Sequence, residues 1–331
     1  MTLLQRLQLS SKLVETIIGE KDFNSDQKIF YFTGRGIGNA NYHLGHYFLN
    51  KVLNQSSKSA NVPIVYQLSS DEKRGAGPKF KSTKVVKQYT DSTLYNMSHV
   101  FDGQIRVFDN LDLDNMMVIR NCADYINSKI KLKTYLDVFG NISGLSCNYV
   151  GIQLAPLVLL GATQFKDYTP IIVTAADQKG FFSLFRDICG KLGLKKPIVI
   201  ILKPLKDIKM EDKMSSSSLN KAVLCDFNGF EKILKAVSDP KGENDFCREY
   251  ILKMLEIKPC SELTALLLDY SNTKNSLGLK TKLIAYLQKT YQLINPLSPS
   301  FILSAEFLQK NNLSVNNKKE LIYRLEQLYL C

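Results

Sequence analysis

Two short clusters carry residues suited to chemistry. Thr33-Gly34-Arg35-Gly36-Ile37-Gly38 runs towards His43-Leu44-Gly45-His46, and far downstream Lys213-Met214-Ser215-Ser216-Ser217 brings a cation among small hydroxyl residues. The i,i+3 spacing of His43 and His46 puts both imidazoles on one helix face. At a helix N-terminus they add hydrogen-bond donors beside free backbone N–H groups and the positive dipole end, a setting for phosphate. Gly45 between them leaves room for a flat ring to lie against the helix. Two ordinary helix-start histidines, or a metal pair, fit the same spacing. Only three His are present, His99 being the third, and no Cys cluster offers further metal ligands. Lys213, on a loop at the carboxyl edge of a parallel sheet, suits a clamp on polyphosphate, although alone the segment reads equally as a Ser-rich linker. The dinucleotide fingerprint fails because Asn39 stands where its last Gly belongs, and no P-loop motif occurs.

These residues need a scaffold, and the intervening sequence describes one. Apolar, β-branched runs at 28–36, 62–70, 104–110, 169–177 and 196–204 read as strands buried on both faces. Helix-period segments lie between them, such as YHLGHYFLNKVLNQ and GFFSLFRDICGKLG. Strand alternating with helix predicts an α/β, Rossmann-like parallel sheet with covering helices, its first strand beginning near residue 28. After about residue 226 the apolar spacing turns helical throughout: FEKILKAV, CREYILKMLEI, LKTKLIAYLQKTYQLI and KKELIYRLEQLYL. The expected division is therefore 1–225 for the α/β domain and 226–331 for an all-helical domain.

Composition narrows the classes. Forty-three Lys and Arg against 31 Asp and Glu give a net charge of +12, which favours an anionic partner. Residues 1–225 hold 29 basic and 19 acidic residues and so carry +10 of it, with a basic run at Lys73, Arg74, Lys79, Lys81, Lys84 and Lys87 that reads equally as a solvated face. Seven scattered Cys with no C-x-x-C pair read as reduced thiols, neither a disulfide framework nor a zinc module. No signal peptide and no long apolar stretch is apparent, so the expectation is a cytoplasmic protein with no membrane span. The chain contains no Trp.

Taken in order, His43-Leu44-Gly45-His46 and Lys213-Met214-Ser215-Ser216-Ser217 resemble the two signature motifs of the class I aminoacyl-tRNA synthetases. Within that class, Phe32-Thr33-Gly34-Arg35-Gly36, the stretch from Val62 to Lys73, and Ala176-Asp177-Gln178 followed by Phe182 and Arg186-Asp187 are similar to the tryptophan–tRNA ligases of archaeal and eukaryotic type, here without an N-terminal appended domain. The tyrosine enzymes share fold and motifs but carry Tyr-x-x-x-Gln-x-x-Asp on a pocket helix; this chain reads Tyr149-Val-Gly-Ile-Gln153-Leu-Ala-Pro156, with Pro at the Asp position.

The resemblance implies activation of L-tryptophan with ATP and Mg2+, held mainly by the ATP phosphates, and transfer to tRNA(Trp). It implies His43, His46 and Lys213 on the phosphates, with Gly36, Gly45, Asp177, Met214 and Ser215 around ATP, Asp177 taking the ribose hydroxyls. Gln67 is implied at the indole, Glu72 and Gln153 at the α-ammonium, Lys73 and Gln178 at the carboxylate, with Phe182, Phe32 and Gly34 shaping the pocket. In the eukaryotic type a Tyr also reaches the indole nitrogen, and Phe32 occupies that position here; indole N–H is one donor and needs one acceptor, which Gln67 supplies. A homodimer formed through a connective insertion around 110–165, and anticodon binding by 226–331, are further implications. The alternatives are a tyrosine–tRNA ligase, another nucleotidyl transferase of the superfamily, and a synthetase-like tRNA-binding or regulatory protein without charging activity.

Overall fold

In the computed structural model, the described residues are 1–37, 42–71, 82–102, 105–110, 113–140, 144–208, 210, 213–214, 245–291 and 297. The side chains of residues 83, 113–117 and 144–147 lie outside this description.

The apolar runs form β2 (Lys28–Gly36), β3 (Ile64–Ser69), β4 (Ile105–Asp109), β5 (Tyr168–Thr174) and β6 (Ile198–Leu202), all mutually parallel where they pair. One strand departs from the expectation: β1 (Val14–Ile18) lies before residue 28 and pairs antiparallel with β6. Its VETII sequence is only partly covered, as an edge position allows, so it lacks the continuous apolar signature of the buried strands. Strand order is β1-β6-β5-β2-β3-β4. The chain thus leaves β2 in one direction to reach β3 and β4, and in the other to reach β5 and β6. Open α/β sheets bind ligands at such a reversal, outside the carboxyl ends of the strands.

β2 shows why both sheet faces are covered. Ile29 and Tyr31 point into one apolar cluster, Phe30 and Phe32 into another, because successive strand side chains alternate. The first cluster contains α1 (Leu3–Leu7) and α2 (Leu44–Ala60), together with the last turns of α3 (Thr83–Met97). The second is built from α4 (Leu113–Ser128), α6 (Gly144–Ala162) and α7 (Lys179–Cys189), with α5 (Leu132–Phe139) beside them. Three further helices follow: α8 (Phe246–Ile257) and α10 (Ser276–Thr290) match two of the helix-period segments read in the tail, and α9 (Ser261–Thr273) lies between them outside any of those segments. Their buried residues, among them Tyr250, Ile251, Leu283 and Leu287, join the same cluster as Tyr31 and Phe48. FEKILKAV and KKELIYRLEQLYL lie outside the described residues.

Side chains tie the helical part to the sheet. Tyr291 stacks on His99 with ring centroids 4.3 Å apart and donates to Asn96 Oδ1. Ser10 and Lys12 both bond Glu256 of α8. The described cysteines Cys122, Cys189, Cys247 and Cys260 are free thiols. Among the described residues no helix is long and apolar enough to cross a membrane.

Candidate active site

The carboxyl end of β2, the start of α2 and the segment after β5 come together at the reversal point and enclose a cavity of about 450 Å³. His43 is the N-cap of α2. Its Nδ1 accepts from Gly45 N–H at 3.2 Å, and its own N–H donates to His46 Nδ1 at 3.4 Å, a capping box made from imidazoles. The two rings stack at 3.7 Å. Because each Nδ1 accepts, each neutral ring carries its proton on Nε2, leaving two N–H donors for the cavity that both rings line.

The rings are neutral for a physical reason. Burial, then the charges of Arg35 and Lys213, lower the His43 pKa to about 3. Burial, Arg35, His43 and Lys213 push His46 well below the ordinary imidazole value. The positive charge of this wall therefore resides on Arg35 and Lys213, while the histidines act as hydrogen-bond donors. Arg35 emerges at the carboxyl end of β2, its guanidinium 5.1 Å from the centre of the Tyr42 ring.

Lys213 reaches the same wall by a return of the chain. Beyond β6, Lys206 pairs antiparallel with Lys213, and Met214 N–H donates to Leu205 O at 3.0 Å. Met214 is buried beneath Gly45, whose N–H also points at Met214 Sδ at 3.3 Å. A Cβ at Gly45 would lie 3.0 Å from two atoms of the His43 ring and 3.5 Å from Met214, so glycine here permits the motifs to touch. Lys213 Nζ donates to Asp177 Oδ1 at 2.9 Å.

Another part of the cavity lining is aromatic and bears amides. Phe32 and Phe182, both buried, form it with Gly34, Gln67, Tyr149, Gln153 and Gln178. Gln153 and Tyr149 come from α6, which contains Pro156. Gln153 Nε2 donates to Gln178 Oε1 at 2.9 Å, and Gln153 Oε1 is buried with no hydrogen bond among the described residues. Gln67 sits opposite Gly34 in the β2–β3 register, and a Cβ at Gly34 would approach Gln67 Cβ and its backbone O to 3.0 Å. Gln67 Nε2 donates to Asn110 Oδ1 at 3.2 Å.

The structure thus brings Phe32, Gly34, Gly36, His43, Gly45, His46, Gln67, Gln153, Asp177, Gln178, Phe182, Lys213 and Met214 around one cavity. Glu72, Lys73 and Ser215 lie outside the described residues. Sequence reasoning did not single out Arg35 or Asn110. Arg35 was legible as a charge interrupting an otherwise apolar strand; Asn110 had no local signal, since its partner is 43 positions away.

The donor set also bears on magnesium. Among the described residues no group of three His, Cys, Asp or Glu could hold a metal, and Asp177 is the one carboxylate among those lining the cavity. That set fits an ion carried in on nucleotide phosphates, as Mg2+ commonly is, better than one held in a protein cage.

A curated tryptophan–tRNA ligase of Pyrobaculum calidifontis is 26% identical over 197 residues, covering 58% of this chain and 52% of that one. The match thus spans about half the length of that relative. Among solved structures, a tryptophanyl-tRNA synthetase of Encephalitozoon cuniculi, bound to tryptophan, superposes with TM-score 0.65 at 20% identity, covering 85% of this chain and 82% of that one. A tyrosyl-tRNA synthetase of Aeropyrum pernix gives TM-score 0.65 at 15% identity, covering 98% of both chains. Both share the fold of this chain. Residues 112–292, more than half of the 331, match the family model described as tRNA synthetases class I (W and Y), and the chain belongs to that family.

Proposed function

We propose that the protein is a tryptophan–tRNA ligase, joining L-tryptophan to the α-phosphate of ATP with release of pyrophosphate and then passing the tryptophanyl group to tRNA(Trp). One observation carries the reading: a single cavity has a donor-rich, cationic end at His43, His46 and Lys213 and an aromatic, amide-lined end at Phe32, Phe182, Gln67 and Gln153. Two anionic reactants meet in this reaction, so the protein's task is to align them and to neutralise charge as it builds on the phosphates.

On this reading His43 and His46 donate from Nε2 to phosphate oxygens, Gly36 and Gly45 let the nucleotide approach backbone, and Met214 packs beneath it with Ser215 following. Asp177 takes the ribose hydroxyls once Lys213 leaves it for the leaving pyrophosphate. Magnesium, when bound with ATP, supplies further neutralisation of phosphate charge. Gln67 accepts the indole N–H against Phe32 and Gly34, Phe182 packs on the ring, Gln153 and Glu72 receive the α-ammonium, and Gln178 with Lys73 steadies the carboxylate. The buried Gln153 Oε1 is an acceptor that an ammonium would satisfy.

The same reading assigns 1–225 to catalysis, with a dimer-forming insertion around 110–165, and 226–331 to the anticodon, in a cytoplasmic homodimer. Lys84 and Lys87 of α3 belong to the basic run proposed to meet the tRNA acceptor end; the run's other members lie outside the described residues. Against the tyrosine alternative, Pro156 within α6 holds the position where a phenol-accepting Asp would be needed. Incubating the protein with ATP, tryptophan and a tRNA(Trp) transcript tests the complete proposal. Formation of tryptophanyl-tRNA is expected; adenylate formation without charging would remove tRNA(Trp) as the acceptor.

A further inference from the structure

We propose that Asn110 is a specificity-positioning residue, fixed in orientation by Asp71, that holds the Gln67 amide with its carbonyl oxygen towards the amino-acid end of the cavity. The inference rests on Gln67 being the residue that meets the indole. It concerns what makes Gln67 an acceptor there, because a glutamine amide can be turned either way and so present a donor or an acceptor.

The geometry fixes the direction in two steps. Asn110 Nδ2 donates to Asp71 Oδ1 at 3.0 Å. An ionised carboxylate has only acceptors, so this bond turns the Asn110 amide with Oδ1 away from Asp71. Asn110 Oδ1 then accepts from Gln67 Nε2 at 3.2 Å. With its NH2 committed, Gln67 keeps Oε1 for the cavity it lines, and no described residue bonds that atom. Reversing Gln67 would set two carbonyl oxygens against each other.

The frame holding this chain is rigid. Gln67 lies in β3 between Gly34 of β2 and Phe108 of β4. Asn110 follows β4 directly, and its backbone N–H donates to Leu68 O at 3.0 Å, extending the strand pairing past the strand's end. Gln67 and Asn110 are each 2% exposed, so water offers little substitute for either bond. The end of the cavity therefore selects an aromatic side chain that offers a donor. With Phe32 in place of a second polar group, selection of that donor falls on one oriented oxygen.

The test compares tryptophan with L-3-benzothienylalanine, in which sulfur replaces the indole N–H, by ATP–pyrophosphate exchange on the full chain. Wild type should prefer tryptophan. Asn110→Leu leaves Gln67 Nε2 without its acceptor and frees the amide to turn. The ratio of kcat/KM for tryptophan over the sulfur analogue should fall about tenfold or more, carried by the KM for tryptophan, while the KM for ATP stays within about twofold. A general packing defect would instead lower both amino acids together. The exchanged pair Asp71→Asn with Asn110→Asp places a pure acceptor opposite Gln67 and should keep most of the preference. This second arm serves even where Asn110→Leu folds poorly.

Retention of the full tryptophan preference by Asn110→Leu would overturn the inference while leaving the tryptophan reading intact. Loss of preference in the folded exchanged pair would also overturn it. A wild-type protein with no preference for tryptophan over the sulfur analogue would sink the assignment of Gln67 to the indole, and the inference with it.

Discussion

Lys213 and Asp177 form an ion pair, Nζ to Oδ1 at 2.9 Å, joining the segment after β6 to the segment after β5 across the mouth of the cavity. Their side chains are 45% and 62% exposed, so the pair contributes little stability and is readily exchanged for a better partner. On the proposed function, polyphosphate is that partner for Lys213, and its departure would free Asp177 for hydroxyl groups. Lys213→Ala should therefore lower kcat for ATP–pyrophosphate exchange by about a hundredfold or more, with the KM for tryptophan within about twofold. Unchanged exchange would remove Lys213 from the reaction.

The neutrality of the histidine pair has a pH signature. The folded protein keeps His43 unprotonated down to about pH 3, whereas the unfolded chain takes up that proton near the ordinary imidazole value of 6.5. The unfolded state thus binds more protons below pH 6.5, and stability present above that pH is lost as pH falls towards 3. Each such histidine contributes a slope of up to about 1.4 kcal/mol per pH unit. Urea unfolding of His43→Asn should show a shallower loss of stability from pH 6.5 to 5 than wild type. Equal slopes would mean that His43 titrates normally in the folded protein.

Gly34 faces Gln67 so closely that one methyl group must displace it, since the added Cβ would sit 3.0 Å from both Gln67 Cβ and its backbone oxygen. β-Sheet pairing on both sides of β3 leaves little room to yield. Gly34→Ala should raise the KM for tryptophan about tenfold or more through misplacement of that side chain, and leave the KM for ATP nearly unchanged. Equal KM values for tryptophan in the two proteins would show that the strand accommodates the methyl.

Much of this was readable before folding, and the exceptions share a cause. β2 through β6 fall within the apolar runs because strands buried on both faces have little freedom in residue type, apart from a Tyr168 start one residue early for β5. The antiparallel β1 escaped because an edge strand tolerates polar residues such as Glu15 and Thr16. The histidine and lysine motifs were legible because each is contiguous; their contact through Gly45 and Met214, 169 positions apart, was not. Asn110 meets Gln67 only because β3 and β4 are neighbours in the sheet. Local sequence describes what a residue offers, while strand order decides what it meets.

Tyr291 joins the helical part to the end of α3 through its ring on His99 and its hydroxyl on Asn96. It lies far along the chain from the cavity-lining residues and is not among them. Tyr291→Ala should lower unfolding free energy by about 2 kcal/mol, with pyrophosphate exchange largely retained. Chemical denaturation measures the first and the exchange assay the second; undiminished stability would mean that the stacked ring adds nothing to the junction.

On the proposed function, one cavity joins an indole-reading pocket to an ATP-activating wall. ATP–pyrophosphate exchange with tryptophan, tyrosine and phenylalanine in parallel decides whether it does. Exchange with tryptophan is expected at a kcat/KM at least about a hundredfold above that for phenylalanine, which lacks any ring donor, and well above that for tyrosine. Exchange driven best by tyrosine, or by none of the three, would contradict it.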